Sequence, residues 1–163
     1  VTFGDAASSN AQFHEGLNIA AVQGVPLLLI CENNGLAGNV RSEYYLPSGL
    51  GGRVASRAGA YGIASETIDG NHVDTVMDAV RSATTYVRNQ QQPYLLECMT
   101  TRISRHKQGQ GDLRSPEETA ELALRDPLLY EERRLGLSYA TKEGLLRDVR
   151  HEVAAALREA GAE

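Results

Sequence analysis

The run Pro26-Leu27-Leu28-Leu29-Ile30-Cys31 contains no polar residue. A strand with one face in water alternates apolar and polar side chains, so a run without alternation predicts a strand covered on both faces. Such strands belong to parallel sheets sandwiched between helices. Three further segments fit the same sheet. Val1-Thr2-Phe3 reads as the end of a strand already under way, Ser65-Glu66-Thr67-Ile68 is closed by Asp69-Gly70, and Tyr94-Leu95-Leu96-Glu97-Cys98-Met99 is entered through Pro93. Helical patterns separate them. The alternation predicts an α/β fold, a mostly parallel sheet with helices on both faces. A four-strand sheet of this kind leaves an unprotected edge and lacks part of its helix cover. The expectation is therefore an incomplete domain, its N-terminal part removed or supplied by another polypeptide.

The helices carry their own signals. Ser9 followed by Gln12 has the form of a capping box, and Phe13, Leu17, Ala20 and Ala21 then share one face. After Asn71-His72, residues Val73, Val76, Met77, Val80 and Val87 trace an amphipathic stripe. Ser42 to Gly62, with Pro47 and the Gly49, Gly51 and Gly52 cluster, reads as a loop passing into a short helix around Val54 to Tyr61. From Ser115 onward the chain is helical only. Ser115-Pro116-Glu117-Glu118 combines an N-cap, a first-turn proline and a capping glutamate. Pro127 ends that helix and starts the next, which stops near Gly136. Leu145, Leu146, Val149, Val153, Ala156 and Leu157 predict the buried face of the last helix. The expected division is 1–112 for the α/β core and 113–163 for a helical C-terminal extension packing on the core or on a partner.

Composition narrows the function classes. A chain of 163 residues with 42% apolar and 23% charged residues suits one globular domain with its own core. The formal charge of −5, with Lys and Arg spread along the chain, argues against a nucleic-acid or anionic-membrane surface. No stretch approaches the ~20 apolar residues that span a bilayer, and the opening residues do not form a signal peptide. Cys31 and Cys98 each sit in an apolar run and read as two buried, reduced thiols of a cytoplasmic protein.

The residues with chemistry lie at predicted strand ends, where open α/β sheets bind ligands. Gly4-Asp5-Ala6-Ala7 follows the first strand and opens a helix; Glu32-Asn33-Asn34-Gly35-Leu36 follows the second. Asp5 and Asn34 then stand side by side. A carboxylate, an amide oxygen and a nearby carbonyl are hard donors suited to magnesium that also holds phosphate oxygens. The Ala6 and Ala7 amides lead into a helix N-terminus, which favours an anion. Taken singly, Gly-Asp-Ala and Asn-Asn-Gly are common turns; paired on consecutive strand ends they predict a magnesium diphosphate site. His106 lies in the polar stretch Ser104-Arg105-His106-Lys107-Gln108-Gly109-Gln110-Gly111-Asp112, which reads as a mobile, cationic, phosphate-facing loop or a solvated basic turn. His14 and Glu15 do not make a zinc pattern, because position 18 is Asn; His14 reads as structural or at a subunit contact, and His72 and His151 as surface residues.

The Gly4-Asp5 and Asn33-Asn34 pair resembles the motif of thiamine diphosphate enzymes. The flanking text Asn10-Ala11-Gln12-Phe13-His14-Glu15-Gly16-Leu17-Asn18, together with Arg57-Ala58-Gly59-Ala60-Tyr61-Gly62, Ile68-Asp69-Gly70-Asn71, Thr101-Arg102 and Asp126-Pro127, is similar to the alpha subunits of 2-oxo acid dehydrogenases of the pyruvate, branched-chain and acetoin types. The resemblance covers nearly the whole chain. It implies the thiamine diphosphate-binding fold, with thiamine diphosphate and magnesium as cofactors. By position, Asp5 and Asn34 would bind magnesium through side chains and Leu36 through its carbonyl, while Ala6 and Ala7 would offer amides to the diphosphate. His106 would be the active-site loop histidine that contacts the phosphates and guides acyl transfer. The resemblance further implies a heterotetramer with a beta-type subunit that supplies the pyrimidine half of the site and the activating glutamate, and a lipoyl or other acyl carrier domain as acceptor.

Two departures from the family pattern stand out. Ala6 replaces the usual glycine, and Ser104-Arg105 and Lys107 surround His106 where a Gly, a second His and a Ser are common. These leave two other readings beside the decarboxylating dehydrogenase subunit: an acyloin-forming carboligase subunit, and a non-catalytic assembly subunit that has lost the cofactor.

Overall fold

The computed structural model describes residues 1–47, 49, 51–109 and 111–161. Gln110 of the polar stretch lies outside the described residues. By internal packing the chain forms two units, Val1–Pro127 and Leu128–Glu163.

The first unit is built on four parallel strands: β1 (Thr2–Gly4), β2 (Leu28–Asn33), β5 (Ala64–Asp69) and β6 (Tyr94–Met99), in the order β1-β2-β6-β5. The two most apolar segments, the 26–31 run and Tyr94–Met99 with its single acid, are the two central strands. Side chains on a strand alternate between faces, and the core divides accordingly. Phe3, Leu29, Cys31 and Leu95 face α1 (Ala11–Gln23) and α2 (Ala55–Ala58), where Leu17, Val54 and Ala58 complete one cluster. Leu28, Ile30, Leu96 and Cys98 face the other way, against Ala79 and Val80 of α3 (Val73–Gln90). Topology explains the split. The chain moves outward from β1 to β2 to β5, then steps back to β6. Because parallel crossovers keep one hand, that reversal sends α3 to the opposite face. Cys31 and Cys98 are free, buried thiols on opposite faces, and burial raises the pKa of each.

Several local expectations need correction. Ser9 and Gln12 do not form a capping box. Asn10 occupies the N-cap of α1 without a side-chain bond, and the Ser9 hydroxyl donates instead to the Tyr45 carbonyl at 2.7 Å. Tertiary bonding has overridden a local signal. In α3 the buried residues are Ala79, Ala83 and Val87, whereas Val73 and Met77 are exposed. Between β2 and α2 the chain makes a short hairpin, β3 (Leu36–Ala37) with β4 (Val40–Arg41), that the residue pattern does not announce.

Further along, α4 (Pro116–Ala123) starts as the sequence predicts: the Ser115 hydroxyl accepts from the Glu118 amide and Pro116 opens the first turn. The Glu118 carboxylate reaches elsewhere, accepting from both Arg41 terminal nitrogens at 2.9 and 2.8 Å. α5 (Pro127–Arg134) begins at the proline. Gly136 then takes a left-handed φ of +59° before α6 (Tyr139–Glu159), whose N-cap is Ser138. The apolar face of α6 is a correction as well. Leu145, Val149, Val153 and Leu157 are each at least half exposed. No helix among the described residues is long and apolar enough to cross a membrane.

Candidate functional site

The register Gly4↔Glu32 of the β1–β2 pair sets the site. Asp5 comes one residue past that pair, and Asn34 two, so both leave the sheet at neighbouring C-terminal strand ends. Asp5 does not open an α-helix: residues Asp5–Ser9 form a single 3-10 turn. Three groups fix this turn. The Ser8 hydroxyl donates to the Asp5 carbonyl at 2.6 Å. The buried Arg57 guanidinium donates to the Ser8 carbonyl, to the Ser8 hydroxyl at 3.2 Å and to the Tyr45 carbonyl at 3.4 Å. The Tyr45 phenol donates to Asp5 Oδ2 at 2.6 Å. Asp5 itself is only 2% exposed. Burial raises its carboxyl pKa, against the lowering effect of the Tyr45 hydroxyl and the Asp5 and Ala6 amides; burial and the Asp5 carboxylate in turn push the Tyr45 phenol up. Ala6 lies outside the left-handed region, so its methyl brings no backbone strain.

The second turn is equally defined. Gly35 takes φ +72°, a conformation that favours glycine. Its amide donates to Asn33 Oδ1 at 2.9 Å, and its carbonyl accepts from the Ser42 amide at 2.9 Å. Asn34 Oδ1 accepts from the Leu36 amide at 3.0 Å, an Asx-turn that leaves a second lone pair on that oxygen.

A third strand end completes the neighbourhood. After β6, the Thr100 amide donates to the Asn33 carbonyl at 2.8 Å, and the Thr101 amide to Asn71 Oδ1 at 3.0 Å. Gly70 makes that approach possible. A Cβ there would come within 2.8 Å of the Cys98 Cβ. Arg102 follows, donating to the Gly38 carbonyl at the hairpin tip at 2.7 Å, while its Nε is buried without a hydrogen-bond partner. Burial and the adjacent Arg114 guanidinium lower its pKa, and it lies within electrostatic reach of Asp5 and Tyr45. A cavity of about 320 Å³ opens here, lined among others by Asn34, Leu36, Arg41, Arg102 and Arg114.

His106 is exposed, and its ring leans toward the hairpin tip, 3.8 Å from where a Cβ on Gly38 would lie. The loop that carries it is tied down by Arg114. That side chain donates to the Arg102 carbonyl, to the Ser104 carbonyl at 3.0 Å, and to both Asp112 oxygens at 2.9 and 2.6 Å. Hydrogen bonds from Arg114 hold the Asp112 carboxyl well below the usual carboxylate range. Of the other histidines, His14 is bonded through Nδ1 to the Tyr61 hydroxyl at 2.9 Å, and His72 pairs with Asp69 at 3.3 Å.

Asp5, Asn34 and Leu36 therefore gather at one sheet edge, with His106 farther out on a loop touching the same hairpin. Tyr45, Arg57, Arg102 and Arg114 belong to the site as well, and sequence reasoning does not assign them roles. Arg57 and Arg102 fall in segments that carry the resemblance, which was the one signal available.

A magnesium diphosphate fits these donors. The oxygens are hard, Asp5 is a buried carboxyl with no cation bonded to it among the described residues, and the buried Arg102 Nε is an unused donor beside the Asn34–Leu36 turn. No cluster of three His, Cys, Asp or Glu that could hold a metal ion stands among the described residues, so phosphate oxygens would have to complete the coordination.

Comparison with known proteins agrees with the fold. The family described as dehydrogenase E1 component matches residues 1–163. The alpha subunit of 2-oxoisovalerate dehydrogenase from Bacillus subtilis is 34% identical over 91% of this chain and 43% of its own length. The mitochondrial 2-oxoisovalerate dehydrogenase alpha 1 subunit of Arabidopsis thaliana is 43% identical over 65% of this chain and 22% of its own length. The alpha subunit of acetoin:2,6-dichlorophenolindophenol oxidoreductase from Bacillus subtilis is 39% identical over 66% of this chain and 31% of its own. The chain thus spans less than half the length of each of these relatives. A match over every residue, on a parallel sheet with its polar turns at the strand ends, places this chain in the dehydrogenase E1 component family.

Proposed function

We propose that this chain is part of an alpha-type subunit of a thiamine diphosphate-dependent 2-oxo acid dehydrogenase, and that it holds the magnesium diphosphate end of the cofactor. The observation that carries the reading is the meeting of Asp5 and the Asn34–Leu36 turn on adjacent parallel strand ends. Asp5 Oδ1, Asn34 Oδ1 and the Leu36 carbonyl are the proposed magnesium ligands. The Ala6 and Ala7 amides and the Arg102 guanidinium are the proposed donors to phosphate oxygens. His106 approaches from the loop tied by Arg114 and is the proposed contact for the outer phosphate and the departing acyl group. When bound, the cofactor supplies the carbanion chemistry that releases carbon dioxide from the 2-oxo acid. The residues here orient its charged end and balance that charge in a partly dry site.

A beta-type subunit is the proposed partner for the pyrimidine half, and a lipoyl or other carrier the proposed acceptor. The test assembles the full chain with its beta-type partner and titrates thiamine diphosphate by calorimetry, with and without magnesium. Magnesium-dependent binding, lost in Asp5→Ala, is the expected result. An assembled wild-type protein that takes up no cofactor would overturn the reading in favour of an assembly subunit. A product analysis yielding acyloin in place of acyl transfer would move it to the carboligases.

A further inference from the structure

Glu97 is an acid in the middle of a central strand, 0% exposed, with no cation bonded to it among the described residues. Its two oxygens accept four hydrogen bonds instead. Oε1 takes Asn33 Nδ2 at 2.6 Å and the Val54 amide at 2.9 Å; Oε2 takes the Ala55 amide at 2.9 Å and the Thr67 hydroxyl at 3.1 Å. The register explains how they meet. Cys31, Glu97 and Thr67 lie in one row across β2, β6 and β5, and Glu97 faces the start of α2. A carboxyl is a demanding choice for such a position, because a buried acid needs nearly all its acceptor sites filled. Two of its four donors anchor α2 and one bridges to the neighbouring edge strand. The fourth, the shortest, leads to the candidate site.

Asn33 is 1% exposed, and each end of its side chain is used. Nδ2 donates to Glu97 and, at 3.2 Å, to the Gly52 carbonyl, while Oδ1 accepts from the Gly35 amide at 2.9 Å. The amide group is thereby fixed in one orientation: Glu97 accepts only the NH2 end, which leaves the oxygen end for Gly35. Gly35 lies between Asn34 and Leu36, the two ligands proposed on this turn. We infer that Glu97 is a positioning residue for the magnesium-binding turn, acting through Asn33 on the Gly35 backbone. This inference rests on the proposed function above. Outer residues that orient metal ligands typically change metal affinity by about 10–100-fold when removed.

The experiment uses the full chain assembled with its beta-type partner and reads Mn2+ binding, with thiamine diphosphate present, from the loss of the free-ion electron paramagnetic resonance signal. Glu97→Gln and Asn33→Ala are compared with Thr67→Val, which removes a donor from the same carboxylate on the side away from Asn33. The expected outcome is Mn2+ affinity lower by about 10-fold or more in Glu97→Gln and Asn33→Ala, and within about two-fold of wild type in Thr67→Val. Glu97→Gln added to Asn33→Ala weakens affinity no further than about two-fold, because both act on one link. Melting temperature is measured on all variants. Lower melting temperatures with Mn2+ affinity unchanged in Glu97→Gln and Asn33→Ala would overturn the inference and leave Glu97 as an anchor for α2 alone. If Asn33→Ala fails to assemble, Glu97→Gln decides by the same criterion. A wild-type assembly that binds no Mn2+ overturns the proposed function itself; a wild type that binds it normally beside unaffected variants overturns only this link.

Discussion

The turns that follow β1 and β2 and the 102–114 loop that follows β6 leave the same sheet edge, yet they are held in different ways. The first two are fastened from beneath. Arg57, Tyr45 and Glu97 reach up from the core to the 3-10 turn and to Asn33, and each is buried or half-buried. The loop is fastened near its two ends, by Arg102 to the Gly38 carbonyl and by the buried Arg114 with Asp112 and the Asn39 bond to the Gly111 carbonyl, and His106 is left exposed between them. The difference separates two jobs. The groups proposed to meet the magnesium diphosphate are set on backbone that is held by the core. The histidine proposed to meet an incoming group is set on a span tied near its ends and exposed between them.

Breaking an anchor from the core side should have the largest effect. Arg57→Met leaves the Ser8 carbonyl without its buried donor and is expected to lower global stability by about 3 kcal/mol, since each orphaned buried group costs roughly 1–3 kcal/mol. Chemical denaturation of the variant measures it, and a loss under about 1 kcal/mol would mean the turn holds without its arginine.

Gly70→Ala tests the passage between the two regions. Its Cβ would fall 2.8 Å from the Cys98 Cβ and 3.1 Å from the Met99 carbonyl oxygen, both on a central strand with little room to give. Overpacking of this kind costs about 1–3 kcal/mol, and the midpoint of thermal unfolding should drop accordingly. Gly35→Ala should be milder. No atom crowds the new methyl more closely than an ordinary contact, so its cost is the left-handed φ alone, roughly 1–2 kcal/mol.

The smallest global effect is expected at the loop, and it should depend on pH. The Asp112 pKa is depressed in the folded chain by Arg114, so its contribution is full above the ordinary carboxylate value of 3.8 and is lost only as pH falls well below it. Any protection of the 102–109 amides relative to their intrinsic exchange rates should therefore be constant through mildly acidic pH in the wild type. In Arg114→Ala, protection relative to each amide's intrinsic rate should be lost across the loop at every pH. Equal exchange in both proteins would remove the contrast drawn between loop and turns.

How far these features can be read from residues alone varies with the range of the forces involved. The apolar runs at Leu28–Cys31 and Tyr94–Met99 specify central strands, and Asp5 and Asn34 follow as strand-end residues, because burial of a whole run is a local pattern with one structural solution. Side chains whose partners lie far along the chain carry no such pattern. Ser9 looks like a cap, but its acceptor is the Tyr45 carbonyl. Glu97 looks like a polar interruption of an apolar strand, although its donors lie 30 to 64 residues away. Arg102 and Arg114 look like ordinary surface charge, and only the hairpin gives Arg102 its place. That hairpin has two residues per strand, too few for any periodicity. The stripe on α6 reads as buried because an amphipathic pattern marks a face that wants cover, whereas here that face is largely exposed.

The strand order has a consequence in time. Of the four strands described in this sheet, β6 comes last along the chain and is the one inserted between β2 and β5. A ribosome that has released only β1, β2 and β5 has produced three strands of which two can pair. The contact between Asn33 and Glu97 spans 64 residues, so the latch beneath the Asn34 turn closes only after β6 has been made. Until that strand slots in, the turn after β2 lacks its support from beneath, and the candidate site takes shape only as these four strands come together.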